Sequence, residues 1–183
     1  MNLSLARLSA AALAVIAIAA PAYAGPSSPT VPSRIAPPAG HKVFLVTHAE
    51  GVQIYQCNAT TGAWTLQAPR AQLYAENGKV VGSHYVGPTW MAKDGSYVVG
   101  RRVDGVNVDP TAIDWLLLAK DTSAPGADGD RLAATTYVQR VNTSGGRAPA
   151  AAECDVAGET AEIPYAADYY FWKATGKPPK PTA

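Results

Sequence analysis

Apolar residues in this chain alternate with polar ones, or form short runs, between turns rich in Gly, Asn and Asp. Alternation with a period of two is typical of strands that bury one face, and short runs bounded by turns are typical of buried strands. The pattern predicts strands at 43–47, 53–57, 64–67, 71–74, 79–85, 89–91, 97–101, 115–120, 132–141 and 165–172, of which 132–141 is long and β-branched. Turns are expected at 49–51, 76–78, 94–95 and 104–105, and Pro69 is expected to separate two strands.

Helical periodicity is weak by comparison. An N-cap acid followed by Pro predicts about one helical turn at 109–113, and a second turn is expected near 148–152. Many short strands with turns between them predict a mainly β fold. We expect a single-domain antiparallel β-sandwich or barrel with at most one or two short helical turns.

The first 24 residues have the three parts of an export signal: a basic start, an apolar run and the small-x-small motif Ala22-Tyr23-Ala24. We therefore expect cleavage near Ala24 and a protein exported to the periplasm or the extracellular space. Residues 25–40 are rich in Pro and Ser and predict a flexible lead-in. A single β-rich domain is expected over 41–175, followed by a disordered tail at 176–183.

Charge is balanced, with 15 Lys and Arg against 14 Asp and Glu before the signal is removed. Such a balance attracts neither nucleic acid nor an anionic membrane, and no second long apolar run predicts a membrane span. No Gly-x-Gly-x-x-Gly motif occurs, so no nucleotide cofactor is expected. Exported proteins with an even number of cysteines usually oxidise them, and we predict a disulfide between Cys57 and Cys154.

Candidate binding residues are concentrated in the segment 82–96. His84, Tyr85, Trp90 and Asp94 could form a ligand surface, since aromatic rings stack on planar or apolar ligand faces and His and Asp supply directional hydrogen bonds. The same residues also fit a purely structural role. Alternation would place His84 and Tyr85 on opposite faces of a strand, and Asp94-Gly95 is ordinary turn chemistry.

Other chemistry has weaker support. The histidines His41, His48 and His84 have no metal-binding spacing, and no metal is expected. The Gly-Gly turn at 145–146 could expose backbone N–H groups to an anion, with Arg140 or Arg147 assisting, although turn glycines are usually conformational. Glycosylation sequons stand at Asn58 and Asn142 and matter only in a eukaryotic secretory pathway.

Six segments in order carry a family resemblance: 51–57, 64–69, 82–96, 114–118, 139–146 and 165–171. Together they resemble the exported family called domain of unknown function 3455, shared by bacteria and filamentous fungi, over nearly all of 40–172. Asp114 stands where the family usually has Pro. The resemblance implies a secreted, β-rich single domain and no established activity. Some fungal members carry a malate dehydrogenase label, which the missing cofactor motif does not support.

These observations favour a secreted binding or surface-interaction module, with a carbohydrate or cell-envelope component as the expected class of ligand. Two alternatives remain open at this point. One is a structural envelope protein held together by its disulfide. The other is a secreted hydrolase whose site uses His84 and Asp94.

Overall fold

The computed structural model describes residues 25–176, and their strands form one closed antiparallel barrel. Each strand pairs with the next along the chain, and the last strand pairs with the first. The eight strands are β1 His41–Asn58, β2 Ala63–Tyr74, β3 Val80–Tyr85, β4 Thr89–Ala92, β5 Tyr97–Val106, β6 Trp115–Ala124, β7 Tyr137–Gly145 and β8 Thr160–Ala174. The mainly β prediction is confirmed, in its barrel form, with two 3-10 turns at Ser33–Ile35 and Ala151–Glu153.

The turn predicted at 49–51 is wrong, because β1 runs through it as one 18-residue strand. Gly51 serves close packing here: a Cβ at this position would lie 2.1 Å from the Arg70 carbonyl oxygen and 2.5 Å from the Ala71 Cα. Pro69 likewise lies within β2, opposite Gln53 of β1. A register shift between Ile54 and Tyr55 accommodates one extra β2 residue beside this pair, as a bulge does.

A second predicted turn, at 104–105, lies inside β5. Gly105 permits a close approach, since a Cβ there would lie 2.7 Å from Leu116 Cδ2 on the neighbouring strand. The segment 109–113, predicted to form one helical turn, forms a single hydrogen-bonded turn and no helix: the Ala112 N–H donates to the Asp109 carbonyl oxygen at 3.1 Å. The Asp109 carboxylate also accepts from the Thr111 N–H at 2.7 Å. Asp therefore begins a turn at this position without starting a helix.

The apolar core of the barrel is formed by inward side chains from most strands. Leu73, Val98, Val138 and Phe171 are at most 2% exposed and belong to this cluster. An eight-stranded barrel has an interior just wide enough to be filled by side chains or to hold one small ligand. Here the packed cluster occupies part of the interior, and a cavity occupies another part.

The hairpin formed by β3 and β4 is much shorter than its neighbours, and this opens the barrel wall. The last β2–β3 pair is Ala71 with His84, and the first β4–β5 pair is Thr89 with Val99. In the described chain, β2 residues 63–70 and β5 residues 100–106 therefore have no partner strand on the side of the hairpin. We call this gap, bounded below by the turn Gly87–Pro88, the side opening.

The predicted disulfide is present and joins Cys57, at the end of β1, to Cys154, just after the second 3-10 turn. The two residues are 97 positions apart, so the bond encloses most of the barrel sequence. Closure of a loop this long restricts the unfolded chain strongly and stabilises the fold by up to about 4.7 kcal/mol in the chain-entropy treatment.

Part of the segment 25–40, predicted to be a flexible lead-in, is docked on the barrel. Ile35 is fully buried, and its carbonyl oxygen accepts a 2.7 Å hydrogen bond from Gln139 Nε2 on β7. Arg34 makes two hydrogen bonds with the Asp104 carboxylate, at 3.0 and 2.7 Å. The segment is therefore not a flexible lead-in around 33–35, because the Ile35 side chain is buried against the barrel.

The predicted signal peptide at 1–24 and the tail from 177 onward lie outside the described residues. Across residues 25–176, no helix is long and apolar enough to cross a membrane.

Candidate ligand pocket in the barrel

The side opening leads into a cavity of about 580 Å³ in the barrel interior, which we call the barrel pocket. All eight strands, together with the Gly87–Pro88 turn, contribute to its wall. The lining residues are Gln53, Leu66, Gln67, Ala68, Pro69, His84, Gly87, Pro88, Trp90, Val99, Gly100, Arg101, Arg102, Leu116, Leu118, Asp121, Arg140 and Tyr169. Its volume falls in the range of about 300–1,000 Å³ that small-molecule sites occupy.

Burial divides the pocket into a floor and a rim. The floor contains His84, Trp90 and Tyr169, each at most 3% exposed. The rim contains exposed residues of β2 and β5, such as Leu66 and Arg101, which flank the side opening. Gly100 widens the space, because a Cβ there would lie 3.0 Å from the Trp90 ring. A molecule entering between β2 and β5 would therefore reach an aromatic floor.

Two of the predicted candidate residues, His84 and Trp90, form that floor together. They are direct neighbours across β3 and β4, so their side chains point to the same face of the sheet. Their rings stack with centroids 4.4 Å apart and an interplanar angle of 9°. Tyr169 meets both rings edge-on, at 5.1 and 5.3 Å. The cluster fixes each ring against the other two and holds the floor rigid.

The His84 ring is neutral. Burial lowers its pKa to about 3, and the nearby Arg140 charge acts in the same direction, while the hydrogen bond to Thr89 opposes them. Nδ1 lies 2.8 Å from the Thr89 carbonyl oxygen, which can only accept, so Nδ1 carries the proton. In this tautomer Nε2 is unprotonated and can accept a hydrogen bond.

Gln53 places an unpaired amide in the pocket wall. Its side chain is 2% exposed, and within the described residues its buried Nε2 has no hydrogen-bond partner. Trp90 Nε1 is buried and unpaired in the same way. An unpaired buried donor costs about 1–3 kcal/mol of desolvation, so such groups usually meet a partner. Both residues line the barrel pocket, and both unpaired atoms are N–H donors.

Arg140 supplies a positive charge to the pocket from β7. Its Nε and Nη2 donate to the carbonyl oxygen of Asp114 at 3.0 and 2.8 Å, which orients the guanidinium. The guanidinium also lies beside the Tyr169 hydroxyl, where it opposes the rise that burial causes in the pKa of that group. Within residues 25–176 it forms no ion pair with a carboxylate. A partly buried cation without a counter-ion favours an anion beside it.

Tyr85 and Asp94, the other two candidates, lie elsewhere. Tyr85 points outward from β3, and its hydroxyl lies 3.9 Å from Met91 Sδ. Asp94 occupies the turn at the far end of β4 from the side opening, where it accepts hydrogen bonds from Ser96 and from the Arg131 N–H. Hydrogen bonds from Ser96 and Arg131 hold the pKa of the Asp94 carboxyl below its ordinary value. The structure thus brings together two of the four predicted residues.

Neither His48 nor the Gly-Gly turn adds to this pocket. His48 lies on the outer face of β1, with Nδ1 2.5 Å from Asp168 Oδ1 on β8, so the wall separates it from His84. The described residues contain no group of three His, Cys, Asp or Glu side chains that could hold a metal ion. The Gly146 N–H is already bonded to the Pro164 carbonyl oxygen at 2.9 Å, which favours the conformational role of that turn.

Comparison with known proteins identifies the family of the chain. The family model described as protein of unknown function (DUF3455) matches residues 38–173. The chain belongs to the DUF3455 family. The matched range includes every residue that lines the barrel pocket, so the pocket lies within the DUF3455 domain. Neither the curated proteins nor the solved structures include a match to the chain.

Sequence reasoning missed Gln53 and Tyr169 as pocket residues of this DUF3455 domain and named Arg140 only beside the Gly-Gly turn. Arg140 also lines a smaller cavity there, together with Arg147. One signal was available in the alternation. Gln53 shares its strand face with Ala49 and Tyr55, which are both buried, and Arg140 shares its face with the buried Val138. A polar residue on the apolar face of a strand indicates a polar position inside the barrel.

Proposed function

We propose that this protein is an exported binding protein that holds one small molecule in the barrel pocket. The observation that carries the proposal is the combination, in one cavity of about 580 Å³, of an aromatic floor and unpaired buried donors on Gln53 and Trp90. Small-molecule sites are mostly apolar with a few placed polar groups, and the barrel pocket has this composition.

Access supports the same proposal. Because β3 and β4 are short, the pocket opens through the wall between β2 and β5. The floor is rigid, since His84, Trp90 and Tyr169 hold each other by stacked and edge-on contacts. A preformed site limits the ordering that accompanies binding and so favours affinity.

Export is part of the proposal and rests on the signal pattern of residues 1–24 and on the disulfide. The bond between Cys57 and Cys154 fits an oxidising compartment, since cytosolic proteins generally keep their thiols reduced. Whether the compartment is the periplasm or the extracellular space does not alter the proposed binding.

The two alternative functions have different support. A structural envelope role is compatible with the disulfide, but it gives no reason for an open cavity lined by residues with unpaired donors. The hydrolase alternative paired His84 with Asp94. His84 lies on β3 opposite Trp90, whereas Asp94 lies in the turn after β4 and is engaged by Ser96 and the Arg131 N–H. We therefore favour a binding protein over either alternative.

The proposal is tested with N-phenyl-1-naphthylamine, a small neutral dye whose fluorescence rises in apolar sites. We expect saturable binding of one dye per protein. Leu66→Trp places a larger side chain at the pocket rim and should weaken binding at least ~10-fold. Thr65→Trp is the matched control, because the neighbouring Thr65 is exposed and does not line the pocket.

Each outcome decides the proposal. Weakening by Leu66→Trp alone supports a ligand in the barrel pocket. A dye that does not bind saturably, or that binds both variants as it binds the original protein, contradicts the proposal. Circular dichroism of both variants checks that the barrel is intact.

A further inference from the structure

We infer that the ligand of the barrel pocket is an organic anion, with its acidic group at Arg140 and its apolar body against Trp90. This inference rests on the proposed function and specifies the chemical class of the ligand. A carboxylate or a sulfonate on a ring system or short apolar chain has the required chemistry.

The first support is the unpaired cation. Arg140 is held in place through the Asp114 carbonyl oxygen, and within residues 25–176 it forms no ion pair with a carboxylate. A guanidinium binds the oxygens of an acidic group through parallel N–H donors, which gives both affinity and direction. The carbonyl oxygen that orients Arg140 does not neutralise its charge, so an incoming anion would be the first full negative charge on it.

The second support comes from the unpaired atoms. Gln53 Nε2 and Trp90 Nε1 are both buried N–H donors without partners in residues 25–176, and both residues line the same cavity as Arg140. Three residues with N–H donors therefore line one cavity, and two of them hold a buried donor that has no partner. A ligand with hydrogen-bond acceptors suits such a wall, and an acidic group offers several acceptor lone pairs at once.

The third support is the charge of the rim. The side chains that line the pocket include Arg101, Arg102 and Arg140 but a single carboxylate, Asp121. Arg102 is partly engaged by Asp114 at 3.4 Å, and Arg101 forms no ion pair with a described residue. A cleft with an excess of one charge sign concentrates ligands of the opposite sign.

The apolar part of the ligand has its own surface. Trp90, Leu118 and Val99 line the pocket beside the polar groups, and Pro88 and Leu66 extend this surface toward the opening. A small inorganic anion would leave these side chains without contact. The combination thus fits a molecule with one acidic end and one apolar end.

A pair of fluorescent dyes tests the inference on the unmodified protein. 1-Anilinonaphthalene-8-sulfonate has the ring system of N-phenyl-1-naphthylamine and an added sulfonate. A hydrogen bond to a charged group contributes enough that we expect the anionic dye to bind about 10- to 100-fold more tightly than the neutral one. Equal affinity of the two dyes, or tighter binding of the neutral dye, overturns the inference while leaving the proposed function intact.

Two variants locate the charge. Arg140→Met should remove the preference for the anionic dye, and Arg140→Lys should retain part of it because the positive charge remains. Arg70→Met is the matched control, since Arg70 pairs with Glu162 on the outer wall and does not line the pocket. An unchanged preference in Arg140→Met contradicts the assignment of the acidic group to Arg140.

If Arg140→Met does not fold, Arg140→Lys and the wild-type dye pair still decide the question. Failure of both dyes to bind the wild-type protein contradicts the proposed function and, with it, the inference. If Leu66→Trp leaves the affinity for the anionic dye unchanged, the dye binds outside the barrel pocket. This result would also overturn the inference.

Discussion

His84 and Trp90 stack face to face inside the barrel, with ring centroids 4.4 Å apart. They occupy directly opposed positions of β3 and β4, the two shortest strands of the sheet. The stack therefore does two things. It packs against the apolar core through Tyr169 and Phe171, and its other side forms the floor of the barrel pocket.

Because His84 is buried as a neutral ring, we expect the free energy of unfolding to fall in mild acid. Its pKa is lowered from 6.5 to about 3, so between these values the unfolded chain binds one more proton than the folded protein. Stability therefore falls as the pH drops through this window, at up to about 1.4 kcal/mol per pH unit. His84→Phe keeps a ring on Trp90 and removes this proton uptake.

Urea unfolding at pH 7.5 and pH 5 measures the effect. We expect the wild-type free energy of unfolding to fall by roughly 2 kcal/mol more than that of His84→Phe between these two pH values. Carboxylates and the remaining histidines are common to both proteins and cancel in the comparison. An equal pH dependence in the two proteins would mean that His84 is not buried as a neutral ring.

Loss of the disulfide should destabilise the barrel substantially. We expect Cys57→Ala with Cys154→Ala to lower the free energy of unfolding by about 2–5 kcal/mol, because the 97-residue separation makes the enclosed loop long. A reducing agent should lower the urea midpoint of the wild-type protein and leave that of the double variant unchanged. A wild-type midpoint that does not respond to reduction would contradict a stabilising bond.

A substitution at Gly51 tests whether β1 is continuous at the position where the sequence suggested a turn. A valine side chain would collide with the backbone of β2 at Arg70 and Ala71, so we expect Gly51→Val to cost at least about 1–3 kcal/mol. Gly176→Val, where a Cβ has open space, is the control and should be neutral. Similar thermal midpoints for the two variants would show that β1 and β2 do not approach each other as described.

A substitution at Ile35 tests whether the segment before β1 is docked on the barrel. Truncation of a fully buried isoleucine usually costs about 2–5 kcal/mol, so Ile35→Ala should lower the free energy of unfolding by an amount in this range. Val156→Ala removes apolar atoms from a side chain that is 58% exposed and should change stability by less than about 0.5 kcal/mol. If Ile35→Ala is as mild as the control, the segment is not docked.

Much of the fold could be predicted from local pattern. Alternation and turn residues identified the strands around the two hairpins at 76–78 and 94–95, and the even cysteine count identified the disulfide. The errors at Gly51 and Gly105 have one cause. A glycine permits either a turn or the close approach of another backbone, and only the register of the neighbouring strand distinguishes them.

The pocket was harder to predict from the sequence than the fold. His84 and Trp90 were identified because they stand in one short segment, whereas Gln53 and Arg140 come from strands that closure of the barrel brings into the same wall. The side opening follows from where β3 and β4 stop pairing with β2 and β5, which is a property of the assembled sheet. No local pattern of residues encodes it.

A crystal structure of the protein with N-phenyl-1-naphthylamine is the sharpest test of ligand binding in the barrel. We expect electron density for one dye molecule inside the barrel pocket, in contact with Trp90 and reached through the opening between β2 and β5. Density for the dye on the outer surface, with the pocket holding only water, would contradict this expectation.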